Sequence, residues 1–66
     1  MTNKIMKKLI GSTVVIIYKE MGEELALTGI LEGIEDNIVQ VSTRHNEYFI
    51  DINSITKIKI KKMEEY

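Results

Sequence analysis

Two glycines inside one apolar run constrain this chain more than any other feature. The β-rich run over residues 24–34 contains Gly29 and Gly33 in its interior. Glycine within a strand marks a bend, a bulge or the close approach of another backbone segment. An acidic turn, Glu35-Asp36-Asn37, and a second β-rich run over residues 38–43 follow directly. The pattern predicts a long, sharply bent strand that forms a hairpin with the next strand.

The length of the chain limits how it can be stabilised. It has 66 residues and no cysteine, and a domain of this size buries only about 60% of the surface that its unfolded chain exposes. Disulfides and a zinc–thiolate site are excluded, and with His45 as the only histidine we expect no metal and no cofactor. The remaining way to stabilise so small a domain is association between copies through unpaired edge strands. We therefore expect a homo-oligomer.

The sequence also bears on location. Its first residues include lysines but lack the apolar core and small-residue cleavage site of a signal peptide. No apolar run approaches the ~20 residues that span a bilayer. The lack of cysteine fits a reducing compartment. We expect a cytoplasmic protein without a membrane partner.

The chain is predicted to form one domain over residues 1–66, with a helix at 4–10, a barrel at 12–61 and a frayed tail at 62–66. Thr2 or Asn3 is the expected helix N-cap, and Gly11 the expected left-handed residue after the helix. The apolar face of the helix, which we expect to dock over an open end of the sheet, consists of Ile5, Met6, Leu9 and Ile10.

The rest of the chain predicts five short antiparallel strands, so the fold class is mainly β. The strands are expected over residues 12–19, 24–34, 38–43, 47–52 and 56–61, with a 3₁₀ turn at 53–55. Strand 12–19 is apolar on both faces and is expected to be buried on both. The strongly bent sheet is expected to close into a small barrel.

Two segments carry a resemblance to a known family. Gly29-x-Leu31-x-Gly33-Ile34-Glu35-x-x-Ile38 and residues 49–58, Phe-Ile-Asp-Ile-Asn-Ser-Ile-Thr-Lys-Ile, resemble the two sequence signatures of Sm-like proteins, including Hfq. The order of a helix and five strands is similar as well. The resemblance implies an Sm-like (SH3-like) small barrel, a ring or smaller assembly joined through edge strands, and binding of RNA.

Four residues depart from the pattern that the resemblance implies. Val39 stands where the family has a base-contacting asparagine, and Asn37 stands where it often has a stacking aromatic residue. Asp51-Ile52 replaces the arginine–glycine pair of the second signature. Aromatic stacking contributes roughly 1–3 kcal/mol per base, so these changes weaken the family's RNA pocket.

Charge is distributed unevenly along the chain. The net charge is −1, but eight acids and a single base, Arg44, lie within residues 20–51, while lysines concentrate at both ends. Lys57, Lys59 and Lys61 share one face of the last strand, so they are either a phosphate-binding stripe or protection of an exposed strand edge. The candidate nucleic-acid-binding residues are Lys57, Lys59, Lys61, Lys4, Lys8 and Asn37.

Other reactive-looking residues have simpler interpretations. Glu35 and Asp36 would need a pocket and a basic or nucleophilic partner to act as an acid–base pair, and His45 is expected at a solvated hairpin tip. The aromatic residues Tyr18, Tyr48 and Phe49 are expected in the core or at a subunit interface, although they could also offer a stacking face. The sequence has no catalytic set of residues, so we expect no enzymatic activity.

Two functions remain open from the sequence. The first is binding of RNA or single-stranded nucleic acid by an oligomeric Sm-like module. The second is a protein-interaction or scaffold module that keeps the barrel without the RNA pocket.

Overall fold

One long strand belongs to both halves of the sheet in this computed structural model, which describes residues 3–61 apart from the side chain of Asn3. Strand β2 (Glu23–Glu35) pairs first with β1 (Thr13–Glu20) and then with β3 (Ile38–Ser42). Ile30 pairs with both neighbours, and a bulge lies between Leu31 and Gly33. The predicted long strand that forms a hairpin with the next strand is confirmed.

The remaining elements complete a five-stranded antiparallel sheet with a short helix. They are helix α1 (Asn3–Lys7), strand β4 (Glu47–Asp51), a 3₁₀ turn (Ile52–Ser54) and strand β5 (Ile55–Ile60). The strand order is β4-β3-β2-β1-β5, which confirms the mainly β class. The predicted strand bounds hold within one residue, and the predicted tail at 62–66 lies outside the described residues.

The expected closure into a barrel is wrong for the described residues, because β4 and β5 are open edges that do not pair with each other. With every neighbouring pair antiparallel, β4 and β5 run in the same direction. Pairing them would require a parallel ladder, and parallel strands need a crossover of about a dozen residues or more. The connection here is the 3₁₀ turn Ile52–Ser54 alone, so the sheet stays open.

The core lies on the inner, concave face of the sheet. It consists of Met6, Val14, Ile16, Leu31, Val39, Val41 and Ile50, all buried. The prediction that β1 is buried on both faces is only partly right, since Val15 and Ile17, on its other face, are half-buried. Burial of a branched or thioether side chain contributes about 1.5–3 kcal/mol, so the inner face supplies most of the stabilisation.

The helix is shorter than predicted and docks through fewer residues. It ends at Lys7, and the chain continues to Ile10 with hydrogen bonds that span three residues rather than four. Met6 is buried and Leu9 packs on the core, whereas Ile5 is 61% exposed.

The ends of the helix also differ in part from the prediction. Gly11 has φ +93°, as expected for the left-handed residue after the helix. Asn3 is the first helical residue rather than the cap, and the other candidate cap, Thr2, lies outside the described residues. Ile10, predicted on the docking face, is largely exposed, so a single turn buries only one side of this segment.

Gly29 is required by a close approach of β3. A Cβ at this position would lie 2.6 Å from the main-chain oxygen of Ser42 and 2.8 Å from Cγ1 of Val41. Opposite Cβ atoms of a flat antiparallel pair are about 4.5–5.5 Å apart, so β3 folds toward the inner face of β2 here. Gly33, at the bulge, has no atom within 4 Å of its Cβ position.

We expect Gly29→Ala to lower the free energy of unfolding by about 1–3 kcal/mol, because the added methyl meets a main-chain oxygen that cannot move without shifting β3. Gly29→Val should cost more. The measurement is thermal or urea unfolding, with Gly33→Ala as the matched control, expected within about 0.5 kcal/mol of the wild type. Equal stability of Gly29→Ala and Gly33→Ala would contradict the close approach.

The β1–β2 turn places a methionine in an unfavourable conformation. Glu20 pairs with Glu23, and the two residues between them, Met21 and Gly22, have φ 53° and 82°. Two positive φ values define the type I′ hairpin, which favours Asn-Gly. Gly22 adopts its positive φ without steric cost because it has no Cβ, whereas Met21 has a side chain that disfavours this conformation.

We expect Met21→Asn to raise the free energy of unfolding by about 1 kcal/mol, because most L-residues lose roughly 1–2 kcal/mol in the left-handed region and asparagine loses less. Met21 is 98% exposed, so no packing is lost. Met21→Ala, which removes the same side chain without tolerating positive φ, is the control in the same unfolding assay. A Met21→Asn protein no more stable than Met21→Ala would contradict the type I′ assignment.

Candidate functional site

The predicted lysines form a row on the outer face of β5. Lys57 and Lys59 lie opposite Ile17 and Val15 of β1, on the face away from the core. Lys61 continues the row, because its main-chain N–H donates to Thr13 O at 2.9 Å. All three lysines are exposed. We call Lys57, Lys59 and Lys61 the lysine stripe.

The other candidate lysines, Lys4 and Lys8, lie outside the sheet and are not part of the lysine stripe. Lys4 and Lys8 are exposed on the N-terminal segment. That segment reaches the sheet at Gly11, whose N–H donates to Leu31 O at 2.7 Å, and then enters β1 at Thr13, beside Lys61. The segment that carries Lys4 and Lys8 therefore joins the sheet at the same end as Lys61, the last residue of the lysine stripe.

Asn37 is not part of the lysine stripe. It lies in the β2–β3 turn, where its main-chain oxygen accepts a hydrogen bond from Ile52 N at 2.7 Å. This bond brings together the two segments that resemble the Sm signatures. These segments do not suit a phosphate, because Asp36 in the turn and Asp51 both add negative charge. The Asp51 carboxylate accepts a hydrogen bond from Asn53 N at 2.9 Å.

The position that replaces the family's base-contacting asparagine is inaccessible. Val39 is fully buried among the core residues, and it pairs with Ile50 on the inner face. A side chain in this position cannot reach a base without leaving the core. The pocket that the resemblance implies is therefore missing its amide and its basic group.

The open edge of β4 presents main-chain groups that pair with no other strand of residues 3–61. Within the ladder to β3, Ile52 N donates to Asn37 O and Thr43 N donates to Asn46 O. Hydrogen-bonded pairs alternate with non-bonded pairs in an antiparallel ladder. The N–H and C=O groups of Glu47, Phe49 and Asp51 therefore point away from β3, toward the open edge.

The same reasoning applies to β5. Lys61 N donates to Thr13 O, so the main-chain groups of Lys57 and Lys59 point to β1 and those of Ile58 and Ile60 point to the open edge. Ile60 is 46% exposed. Both edge strands, β4 and β5, thus offer hydrogen-bonding main-chain groups and partly exposed apolar side chains.

The two edges carry opposite charge. β4 has the acids Glu47 and Asp51 and no basic residue, and Gln40 donates a hydrogen bond to the Glu47 carboxylate across the outer face. β5 has Lys57 and Lys59 and no acid. The charged side chains of the two edge strands are therefore opposite in sign.

Two clefts flank Phe49, which is 65% exposed. The first, of about 630 Å³, lies on the outer face at the β2–β3 turn and is lined by Gly33, Ile34, Glu35, Asp36, Ile38, Gln40 and Phe49. The second, of about 400 Å³, lies between the end of β1 and β4 and is lined by Tyr18, Lys19, Glu20, Tyr48, Phe49, Ile50, Asp51 and Ser54. We call the second cleft the notch.

The notch was not predicted from the sequence. Tyr18 and Tyr48 are half-buried and pack on the core, which agrees with the expectation for these residues, but Phe49 is exposed. The two tyrosines are thirty positions apart in sequence, and only the curvature of the sheet brings β1 and β4 together. The sequence signal that could have indicated the notch is an aromatic residue two positions before an acid, which occurs at Tyr18/Glu20 and at Phe49/Asp51.

Other kinds of site are not found in the described part of the chain. Residues 3–61 contain no group of three or more histidine and acidic side chains that could hold a metal ion. Glu35 and Asp36 are exposed, as are Arg44 and His45 at the β3–β4 connection. Among these residues no helix has the length and apolar character needed to cross a membrane.

No protein-family model matches the chain, and no curated protein and no solved structure matches it either. The resemblance to Sm-like proteins rests on the two signature-like segments alone and stays a prediction.

Proposed function

We propose that this protein is a non-enzymatic, cytoplasmic Sm-like module that joins its own copies through the β4 and β5 edges and acts as a protein-interaction scaffold. The observation that carries the proposal is the pair of open edges, whose outward main-chain groups pair with no described strand and whose charged residues are opposite in sign. An open edge pairs readily with another strand. Small size adds a reason, since association buries surface that one copy of the sheet leaves exposed.

The charges favour one mode of association. Two β4 edges would bring acids together, and two β5 edges would bring lysines together, whereas β4 of one copy against β5 of another joins opposite charges. Such a contact is head-to-tail, and it generates a ring where the rotation closes and a filament where it does not. A ring is the outcome that the resemblance implies.

The scaffold is preferred to RNA binding through the family's pocket because that pocket lacks its chemistry. Val39 is buried, Asn37 replaces the stacking residue, and Asp51 adds negative charge beside the turn that also carries Asp36. Each acid near a phosphate opposes binding. Protein partners are not subject to this penalty.

We expect the wild-type protein to be larger than a monomer by sedimentation or light scattering, and Phe49→Pro to be smaller. Proline removes the Phe49 N–H, which points to the open edge, so the β3–β4 ladder keeps its hydrogen bonds. Phe49→Ala is the matched control, since it removes the same side chain but keeps the N–H, and it should associate more strongly than Phe49→Pro. A monomeric wild type, or equal association of the two variants, would contradict pairing through β4.

Nucleic-acid binding remains a second candidate because of the lysine stripe. Lys57, Lys59 and Lys61 are exposed on one face of a strand that has no acid, with the candidates Lys4 and Lys8 at the other end of the chain. Such a row fits a phosphate backbone without base recognition. No aromatic residue alternates with these lysines, so any binding would depend mainly on charge.

We expect the triple variant Lys57→Gln, Lys59→Gln, Lys61→Gln to lose affinity for single-stranded RNA if the stripe binds phosphates. Each lost phosphate contact should lower the salt dependence, the slope of log K against log salt, by about 0.7, or about 2 for three contacts. Lys19→Gln, which removes an exposed lysine outside the stripe, is the control. Unchanged affinity and slope in the triple variant would remove the stripe as the site.

A further inference from the structure

We propose that the notch receives a lysine side chain from the lysine stripe of a second copy, held by aromatic faces and by two carboxylates. This inference rests on the edge-to-edge association proposed above and adds a specific contact to it. The binding chemistry is recognition of an ammonium group by a cation–π interaction.

Aromatic residues are concentrated in the notch. The chain has three tyrosines and one phenylalanine, and Tyr18, Tyr48 and Phe49 all line this one cleft. An ammonium group within about 6 Å of a ring centroid is attracted by the electron-rich face of the ring. Tyr18 and Tyr48 pack on the core, so their rings are held in place before a ligand binds.

The polar groups of the notch favour a cation over an anion. Glu20 and Asp51 outnumber the one base, Lys19. The Asp51 carboxylate accepts a hydrogen bond from Asn53 N at 2.9 Å, which orients it and leaves lone pairs free. The Tyr48 hydroxyl accepts a hydrogen bond from Asn46 Nδ2 at 3.4 Å. A ligand with a phosphate would meet net negative charge here, and an ammonium group would not.

The notch lies beside the edge where a paired strand would pass. The main-chain groups of Phe49 and Asp51 point to the open edge, and the same two residues line the cleft. Phe49 lies on the outer face of β4 and Tyr48 on the inner face. Whichever direction a paired β5 runs, its lysines therefore share a face with one of these two rings.

The lysine stripe has the form that such a cleft requires. Lys57 and Lys59 project from alternate positions of β5 on a single face. Each has a flexible four-carbon stem, which can cover apolar surface such as the Phe49 ring while the ammonium group reaches the carboxylates. A second copy thus supplies a complementary occupant without any other partner.

The test measures the dissociation constant of self-association by sedimentation equilibrium for Lys57→Met, Lys59→Met and Lys61→Met, each of which keeps an apolar stem and removes the charge. At least one should weaken association by roughly 3- to 30-fold, the range of a cation–π contact. Lys7→Met removes an exposed lysine of the helix and is the control.

A double-mutant cycle with Phe49→Leu gives the specific readout, because leucine keeps apolar bulk and removes the aromatic face. The effects of Phe49→Leu and of the sensitive lysine variant should be non-additive, as expected of residues in contact. Strictly additive effects, or three unaffected lysine variants in a protein that still associates, would overturn the inference and leave the proposed assembly standing. A monomeric wild type would overturn both.

A nucleobase is the competing occupant, and the same protein tests it. In an NMR titration with oligouridylate, we expect the ring resonances of Tyr18 and Tyr48 to stay unchanged. Shifts that persist in the triple lysine-to-glutamine variant would assign the notch to a base and overturn the inference.

Discussion

The close approach of β3 to Gly29 is the contact on which the other features of this structure depend. With the Ser42 oxygen 2.6 Å from the position of a Cβ, β3 folds over the inner face of β2 rather than lying flat beside it. This curvature encloses Val14, Leu31 and Val41 in one core. It also carries β4 toward the end of β1, which creates the notch. A flat sheet of the same strands would have neither the core nor the cleft.

The sequence predicts most of the fold, because strand runs, turn residues and interior glycines are local signals. Gly11 takes the positive φ value expected of it. The sequence does not predict whether the sheet closes, since closure depends on the relative direction of β4 and β5 and on the short Ile52–Ser54 connection. It also overestimates the docking of the helix, because spacing alone cannot show that Ile5 stays 61% exposed.

The candidate site was less predictable than the fold. The lysine stripe follows from strict alternation along one strand, and the structure places its three residues on one outer row. Asn37 shares only its expected function with these lysines, because the structure places it in the β2–β3 turn and not on β5. The notch joins Tyr18 to Tyr48 and Phe49. The interior glycines predict a bend, but no local pattern shows which distant side chains that bend brings together.

The uneven distribution of charge along the chain now has a structural meaning. Acids in the middle of the sequence lie on the β4 edge and line the notch, and lysines near its end lie on the β5 edge. If charge served solubility alone, both signs could be mixed on each edge, as on most protein surfaces. Segregation instead makes like edges repel and unlike edges attract. Because a domain this small has little stability to spare, association would raise its apparent stability with protein concentration, so folding and assembly would be linked through the same two strands.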